Sequence, residues 1–238
     1  MSDFAVMLLC TTLAGSCIAA GGLVGRIERI RPQWLENEIR HSVIAFGGGV
    51  LLAAVAFVLA PEGIEYLESP PVGIGAFIGG SIAFFLIERY LDTHSAGAPN
   101  FAAMLLDFLP ESLALGGMFA TGASSAPLLA ALIGLQNLPE GFNSFRELRS
   151  KSSMGTMRIL LLMAALIPLG PGFGWLGWRH GPDHPEVLGF VMLFAAGGIV
   201  YLLFQDIAPG SRLERHWAPA LGAALGFAVG LLGHMLVT

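Results

Sequence analysis

The feature that most restricts what this chain can fold into is a succession of apolar stretches. Each is close to the roughly 20 residues that an α-helix needs to cross a hydrocarbon core about 30 Å thick. Eight can be marked: Asp3–Gly25, His41–Glu65, Val72–Tyr90, Phe101–Gly122, Ser125–Glu147, Thr156–Trp178, Pro185–Ile207 and Trp217–Val237. Inside a bilayer every backbone N–H and C=O must be paired within the protein, so segments of this length are expected to be helices. Composition agrees, because only 12% of residues are charged where soluble domains carry roughly 25%. The expected fold is therefore all-α, a polytopic membrane protein with eight transmembrane helices forming one domain over residues 1–238. Its 32 glycines suit such a fold, since small residues let membrane helices approach closely.

Charge supports the count. If the helices alternate, Arg26, Arg29, Arg31, Arg40, Arg89, Arg146, Arg149, Lys151, Arg158, Arg212 and Arg215 fall on one side, and only Arg179 on the other. Basic residues concentrate in cytoplasmic loops, so both termini are expected outside, in a multi-pass protein of the cell (inner) membrane. The opposite side collects Glu62, Glu65, Glu68, Asp183 and Glu186, which either enrich cations at an outer mouth or are ordinary solvated loop ends. The basic residues are too dispersed, and the net charge of -5 too acidic, to suggest nucleic acid as a partner. Cys10 and Cys17 lie about 10 Å apart along one helix face, too far for a disulfide. The first stretch lacks a basic leader and is read as a retained span.

An internal repeat is visible. Phe46–Pro61 and Phe194–Pro209 have the same length, open with Phe, place Gly three residues later (Gly49, Gly197) and close with Ala-Pro. The two segments are expected to cross in opposite senses, and inverted repeats are how many transporters build a site at mid-membrane.

The chemistry lies in spans four and five. Span four reads Asp107-Phe108-Leu109-Pro110-Glu111-Ser112 and span five Gln136-Asn137-Leu138-Pro139-Glu140-Gly141. Asp107 and Glu111 are four apart, as are Gln136 and Glu140, so each pair shares a helix face with about 6 Å between its members. A short connection makes the spans antiparallel, which brings Glu111 level with Gln136 and Asp107 level with Glu140. Pro110 and Pro139 free the carbonyls of Leu106 and Leu135 from helical hydrogen bonding. A carboxylate at the centre of a membrane helix costs about 2.5–3.5 kcal/mol. Three there repel one another when ionised, and a divalent cation relieves both penalties. The bland alternative is three protonated acids bonding helix to helix.

At these residues the chain resembles the ZIP (Zrt-, Irt-like protein) family of divalent metal transporters, which carries tandem Pro-Glu motifs on the fourth and fifth of eight helices. Phe46–Glu62 is similar to the family's second helix and Ala196–Pro209, with Phe-Gln-Asp-Ile-Ala-Pro, to its seventh. The resemblance covers essentially the whole chain. It implies a 3+2+3 helix bundle with an inverted repeat, with metal ligands Asp107, Glu111, Gln136, Glu140 and Asn137, and Asp206 (beside Gln205) near the cytoplasmic exit. Asp107 stands where the family usually has histidine, Phe108 where it has asparagine, and Gly170 where an acidic residue often completes a second metal position. A mononuclear site is expected.

The implied function is transport of a divalent cation, zinc first by the resemblance with iron and manganese close behind. An oxygen-rich ligand set without imidazole suits harder ions such as manganese, while zinc and iron usually gain from imidazole, so broad and weak selectivity is expected. The cation is substrate; no permanent cofactor is implied, and the bilayer and a homodimer are the remaining expected partners. The competing reading is a metal sensor or transport-inactive ZIP-like protein. An enzyme is not expected, since neither His-Glu-X-X-His nor Gly-X-Ser-X-Gly occurs. His234 is expected to be structural, His94 to be isolated, and His180, Asp183 and His184 to form a polar loop.

Overall fold

A computed structural model describes residues 2–27, 33–67, 69–94, 99–213 and 217–237. Arg29, Arg31, Glu68 and Arg215 of the charge pattern lie outside the described residues, as does the side chain of His94. Eleven α-helical segments occur among the described residues: α1 (Asp3–Ile27), α2 (Gln33–Ala54), α3 (Ala60–Tyr66), α4 (Pro70–His94), α5 (Pro99–Thr121), α6 (Ala126–Lys151), α7 (Thr156–Ala164), α8 (Leu169–His180), α9 (Pro185–Leu202), α10 (Ala208–Gly210) and α11 (Ala218–Val237).

Several of these join into longer helices. Helices α2 and α3 are continuous through a π-helical turn at Val55–Leu59, and α9 and α10 through another at Leu203–Ile207. Helices α7 and α8 are divided by turns over residues 165–168, where Pro168 and Pro171 remove the donors that would continue the ladder. Joined in this way, seven helices are long and apolar enough to cross a membrane. The eighth expected span, α6, has the length but is too polar to count among them by composition. Its polar residues are sheltered by protein: Gln136, Asn137, Ser144 and Glu147 are all buried.

The two π-turns have one cause. Proline has no N–H, and its ring clashes with the carbonyl four residues back. Widening the preceding turn relieves the clash. Ala60 accordingly donates to Val55 O, five residues back, just before Pro61, and Ala208 donates to Leu203 O just before Pro209. The two turns occupy equivalent places in the repeated segments Phe46–Pro61 and Phe194–Pro209.

The repeat extends to packing. Helix α2 lies against α11, and α9 against α4. A side-chain carbon on Gly226 would overlap the carbonyl of Phe46, and one on Gly80 the carbonyl of Phe194; Gly49 meets Ala223 and Gly197 meets Phe77 in the same way. Backbone therefore touches backbone at both crossings, as small residues permit. Helices α1 and α6 pair closely, as do α8 and α5, and α5 and α6 pack on each other at the centre.

The α5–α6 connection is tight because Gly122 adopts a positive φ of 75°. Ala123 N–H then closes on Met118 O at 2.9 Å, a left-handed glycine ending to the helix. Cys10 and Cys17 are free thiols. His234 stacks on Phe57, with ring centroids 5.0 Å apart. Between α8 and α9 Asp183 is engaged by Arg179 at 3.4 Å.

Candidate metal centre

Helices α5 and α6 present facing polar stripes. On α5 these are Asn100, Asp107 and Glu111, and on α6 Gln136, Glu140, Asn143 and Glu147, at the spacings that keep residues on one helix face. Two sets of contacts fix the register. At one end the backbone N–H of Asn100 donates to Glu147 Oε2 at 2.9 Å, which satisfies an open donor in the first turn of α5. At the other end Gln136 Nε2 donates to Glu111 Oε1 at 2.9 Å and Oε2 at 2.7 Å. Between these rungs, each step forward on α5 matches an equal step back on α6, so Asp107 comes opposite Glu140. The level pairing expected from spacing is thus the observed one. Both helices run unbroken through Pro110 and Pro139.

Asp107, Glu111 and Gln136 are buried. Asp107 Oδ1, Gln136 Oε1 and both carboxylate oxygens of Glu140 have no hydrogen-bond partner among the described residues. Asp107 lies within electrostatic reach of both Glu140 and Glu111. Leaving so many buried acceptors unmatched is costly, and the group that would satisfy them is a cation or its hydration water. Among the described residues no three His, Cys, Asp or Glu side chains gather into a closed cage. The carboxylates are arrayed along a path, with Glu111 and Gln136 bonded to each other at the end farther from Asn100.

That path continues as a cavity of about 250 Å³ with Asp107, Glu140 and Asp206 in its wall, along with Arg40, Asn100 and Asn143. Asp206 reaches it from the second π-turn. Gln205, its neighbour in sequence, is exposed. Asn143 and Asn100 were missed in the sequence reading, although Asn143 is one turn beyond Glu140 on the same face and the spacing alone could have found it. Asn137 is turned to another partner: its Nδ2 donates to the Ala14 carbonyl of α1 at 2.9 Å. It follows Gln136 by one residue and so points about 100° away around the helix.

Phe108 and Gly170, the two departures from the pattern of the resembled family, are complementary in shape. The Phe108 ring is fully buried, and its edge lies against Gly170 and Gly15: a side-chain carbon on Gly170 would sit 2.9 Å from Phe108 Cζ, and one on Gly15 3.2 Å. A large apolar ring thus fills the space beside these two glycines.

At the opposite end of the bundle, two contacts tie α3 to the α5–α6 connection. Ser125 Oγ donates to Glu62 Oε1, and Tyr66 OH shares a 2.6 Å hydrogen bond with Thr121 Oγ1.

The chain matches no protein-family profile. Over 98% of its length it is 26% identical to proteins named zinc transporter ZupT from Shigella flexneri serotype 5b (strain 8401) and Escherichia coli O127:H6 (strain E2348/69 / EPEC). The aligned region covers 96% of each of these proteins.

Proposed function

We propose, from the premise that this chain is homologous to ZIP-family transporters along nearly its whole length, that it carries a divalent metal cation, zinc in the first instance, across the membrane. The observation that carries this reading is the antiparallel stripe of oxygen-bearing side chains on α5 and α6, with both oxygens of Glu140 and one of Asp107 buried and unpartnered. Unsatisfied carboxylates at that depth are functional by default. In this reading α6 is the eighth crossing, its polarity tolerated because it is enclosed by α1, α2 and α5, and residues 1–238 act as one transporter domain with both termini outside.

The transported ion is held by Asp107, Glu111, Gln136 and Glu140, and leaves past Asp206. Phe108 seated on Gly170 supports a single metal position. The cavity lies among the ends of α2, α5, α6 and α10 that carry the basic loops, so this state faces the cytoplasm, while the Glu62–Ser125 and Tyr66–Thr121 contacts close the outer end. Alternating access then requires those contacts to part and the inner cavity to close. The inverted repeat, with its paired π-turns and matching helix crossings, supports such an exchange. The oxygen-only ligand set leaves iron and manganese as further substrates.

The test is uptake of radiolabelled zinc by protein reconstituted in liposomes, with manganese and iron as competitors. Glu111→Ala and Glu140→Ala abolish uptake without loss of expression. Normal flux in the double variant removes the site from the mechanism, and zinc binding without flux in the wild type makes the chain a sensor.

A further inference from the structure

The wall of the inner cavity holds one feature that a cation path does not require. Three carboxylates, Asp107, Glu140 and Asp206, share it with the guanidinium of Arg40. Arg40 stands on α2 two turns before Gly47 and Gly48, which line the same cavity. Those glycines let α2 approach α6 closely: a side-chain carbon on Gly47 would lie 2.8 Å from Pro139 Cγ. Ile44 stands on the same wall between Arg40 and the two glycines. The Nε of Arg40 is buried and has no hydrogen-bond partner among the described residues. An arginine held at a wall without satisfying that donor is costly, and the acids that line the same cavity are Asp107, Glu140 and Asp206.

A fixed positive charge beside a cation's route has a definite consequence. Three carboxylates alone would hold a divalent ion with an excess of negative charge, and the ion would leave slowly. Adding Arg40 makes the lining, taken with all three acids ionised and a divalent ion present, neutral overall. On the proposed transport reading, we infer that Arg40 is a tethered cation that sets release: it lowers the retention of the metal in the inner cavity and hands the carboxylates a substitute positive charge when the metal departs. This is a positioning role exerted through the field, so it depends on charge and not on the shape of the side chain.

The test compares Arg40→Gln and Arg40→Lys in reconstituted full-length protein, using zinc alone as the probe. Equilibrium zinc binding to Arg40→Gln is tighter by roughly tenfold or more, as expected for a doubly charged ion losing a nearby like charge in a partly buried site. Its kcat and KM for transport both fall, while Arg40→Lys keeps wild-type values. A second variant guards against misfolding. Arg40→Cys, in a chain whose Cys10 and Cys17 are replaced by serine, is treated with either a cationic aminoethyl or a neutral methyl methanethiosulfonate reagent. The cationic adduct restores fast release and the neutral one does not. Equal binding and turnover in Arg40→Gln and wild type, or equal effects of the two reagents, overturn the inference and leave the transport reading standing. Absence of any zinc flux in the wild type overturns the transport reading itself.

Discussion

Gly170→Ala tests how tightly Phe108 is seated between α5, α8 and α1. The added carbon would sit 2.6 Å from the Thr11 carbonyl oxygen and 2.9 Å from Phe108 Cζ. Ordinary carbon–oxygen contacts are about 3.3–3.6 Å, so α8 must retreat from α1 by roughly 0.7–1.0 Å. The Phe108 ring must also shift by at least about 0.6 Å to regain a carbon–carbon contact near 3.5 Å. Overpacking of this kind costs about 1–3 kcal/mol. The backbone carbonyl cannot yield as a side chain can, which puts the expectation in the upper half of that range. Phe108→Ala alone removes a fully buried ring and costs about 3–5 kcal/mol if the space stays empty. In the double variant the ring clash vanishes and the carbonyl clash remains. The two costs therefore fail to add by about 0.5–1 kcal/mol, as expected for residues in contact. The assay is unfolding in mixed micelles with increasing denaturing detergent, followed by tryptophan fluorescence, with zinc stoichiometry measured on the same samples. Wild-type stability in Gly170→Ala, strict additivity in the double variant, or two zinc ions per wild-type chain would refute the reasoning.

Three further outcomes follow from the site. Gln136→His supplies an imidazole in place of an amide and raises the preference for zinc over manganese in competition uptake, because zinc gains more from nitrogen ligands; an unchanged ratio places Gln136 away from the ion. Asn137→Ala loses the bond to Ala14, costs about 1 kcal/mol of stability, and leaves zinc affinity at the wild-type value in calorimetry; a large loss of affinity makes Asn137 a ligand. Combining Ser125→Ala with Tyr66→Phe removes both outer contacts. It increases labelling of an introduced cysteine, Ser112→Cys in a chain lacking Cys10 and Cys17, by a membrane-impermeant thiol reagent added from the outer side, and unchanged labelling means the contacts do not close that end.

Much of this geometry was legible because helices convert spacing into direction. Four-residue steps put Asp107 with Glu111 and Gln136 with Glu140, and a short connection fixed the antiparallel register. The same rule applied to neighbours would have turned Asn137 toward α1 and added Asn143 to the stripe. Other features were not legible for physical reasons. Pro61 and Pro209 announce an irregularity, but a kink, a break or a widened turn each satisfies a missing N–H, and the sequence does not choose among them. Pro110 and Pro139 show as much, since both helices continue through them. Arg40 is the first residue before an apolar span and reads as a loop charge; only the packing of α2 beside α5 and α6 lets it share a cavity with Asp107 and Glu140. The fit of Phe108 to Gly170 joins residues from different helices and has no local signal at all.

The repeat carries one more step. Its two halves use the same device, a widened turn before Ala-Pro, but they clothe it differently. In the second half the turn presents Asp206 to the cavity. The equivalent residue of the first half is Val58, which is fully buried together with Leu59. A turn lined by a carboxylate can stay hydrated and exchange ligands with an ion, whereas one lined by packed aliphatic side chains excludes water and resists opening until its contacts are broken. On the transport reading the two ends of the route are therefore unlike in kind. The inner end is a wet exit governed by charge, which is why Arg40 has leverage there. The outer end is closed by aliphatic packing at Val58 and Leu59 and capped at the surface by the Glu62–Ser125 and Tyr66–Thr121 bonds. Backbone symmetry can supply two related states, and side chains that break the symmetry decide how the two ends of the route differ.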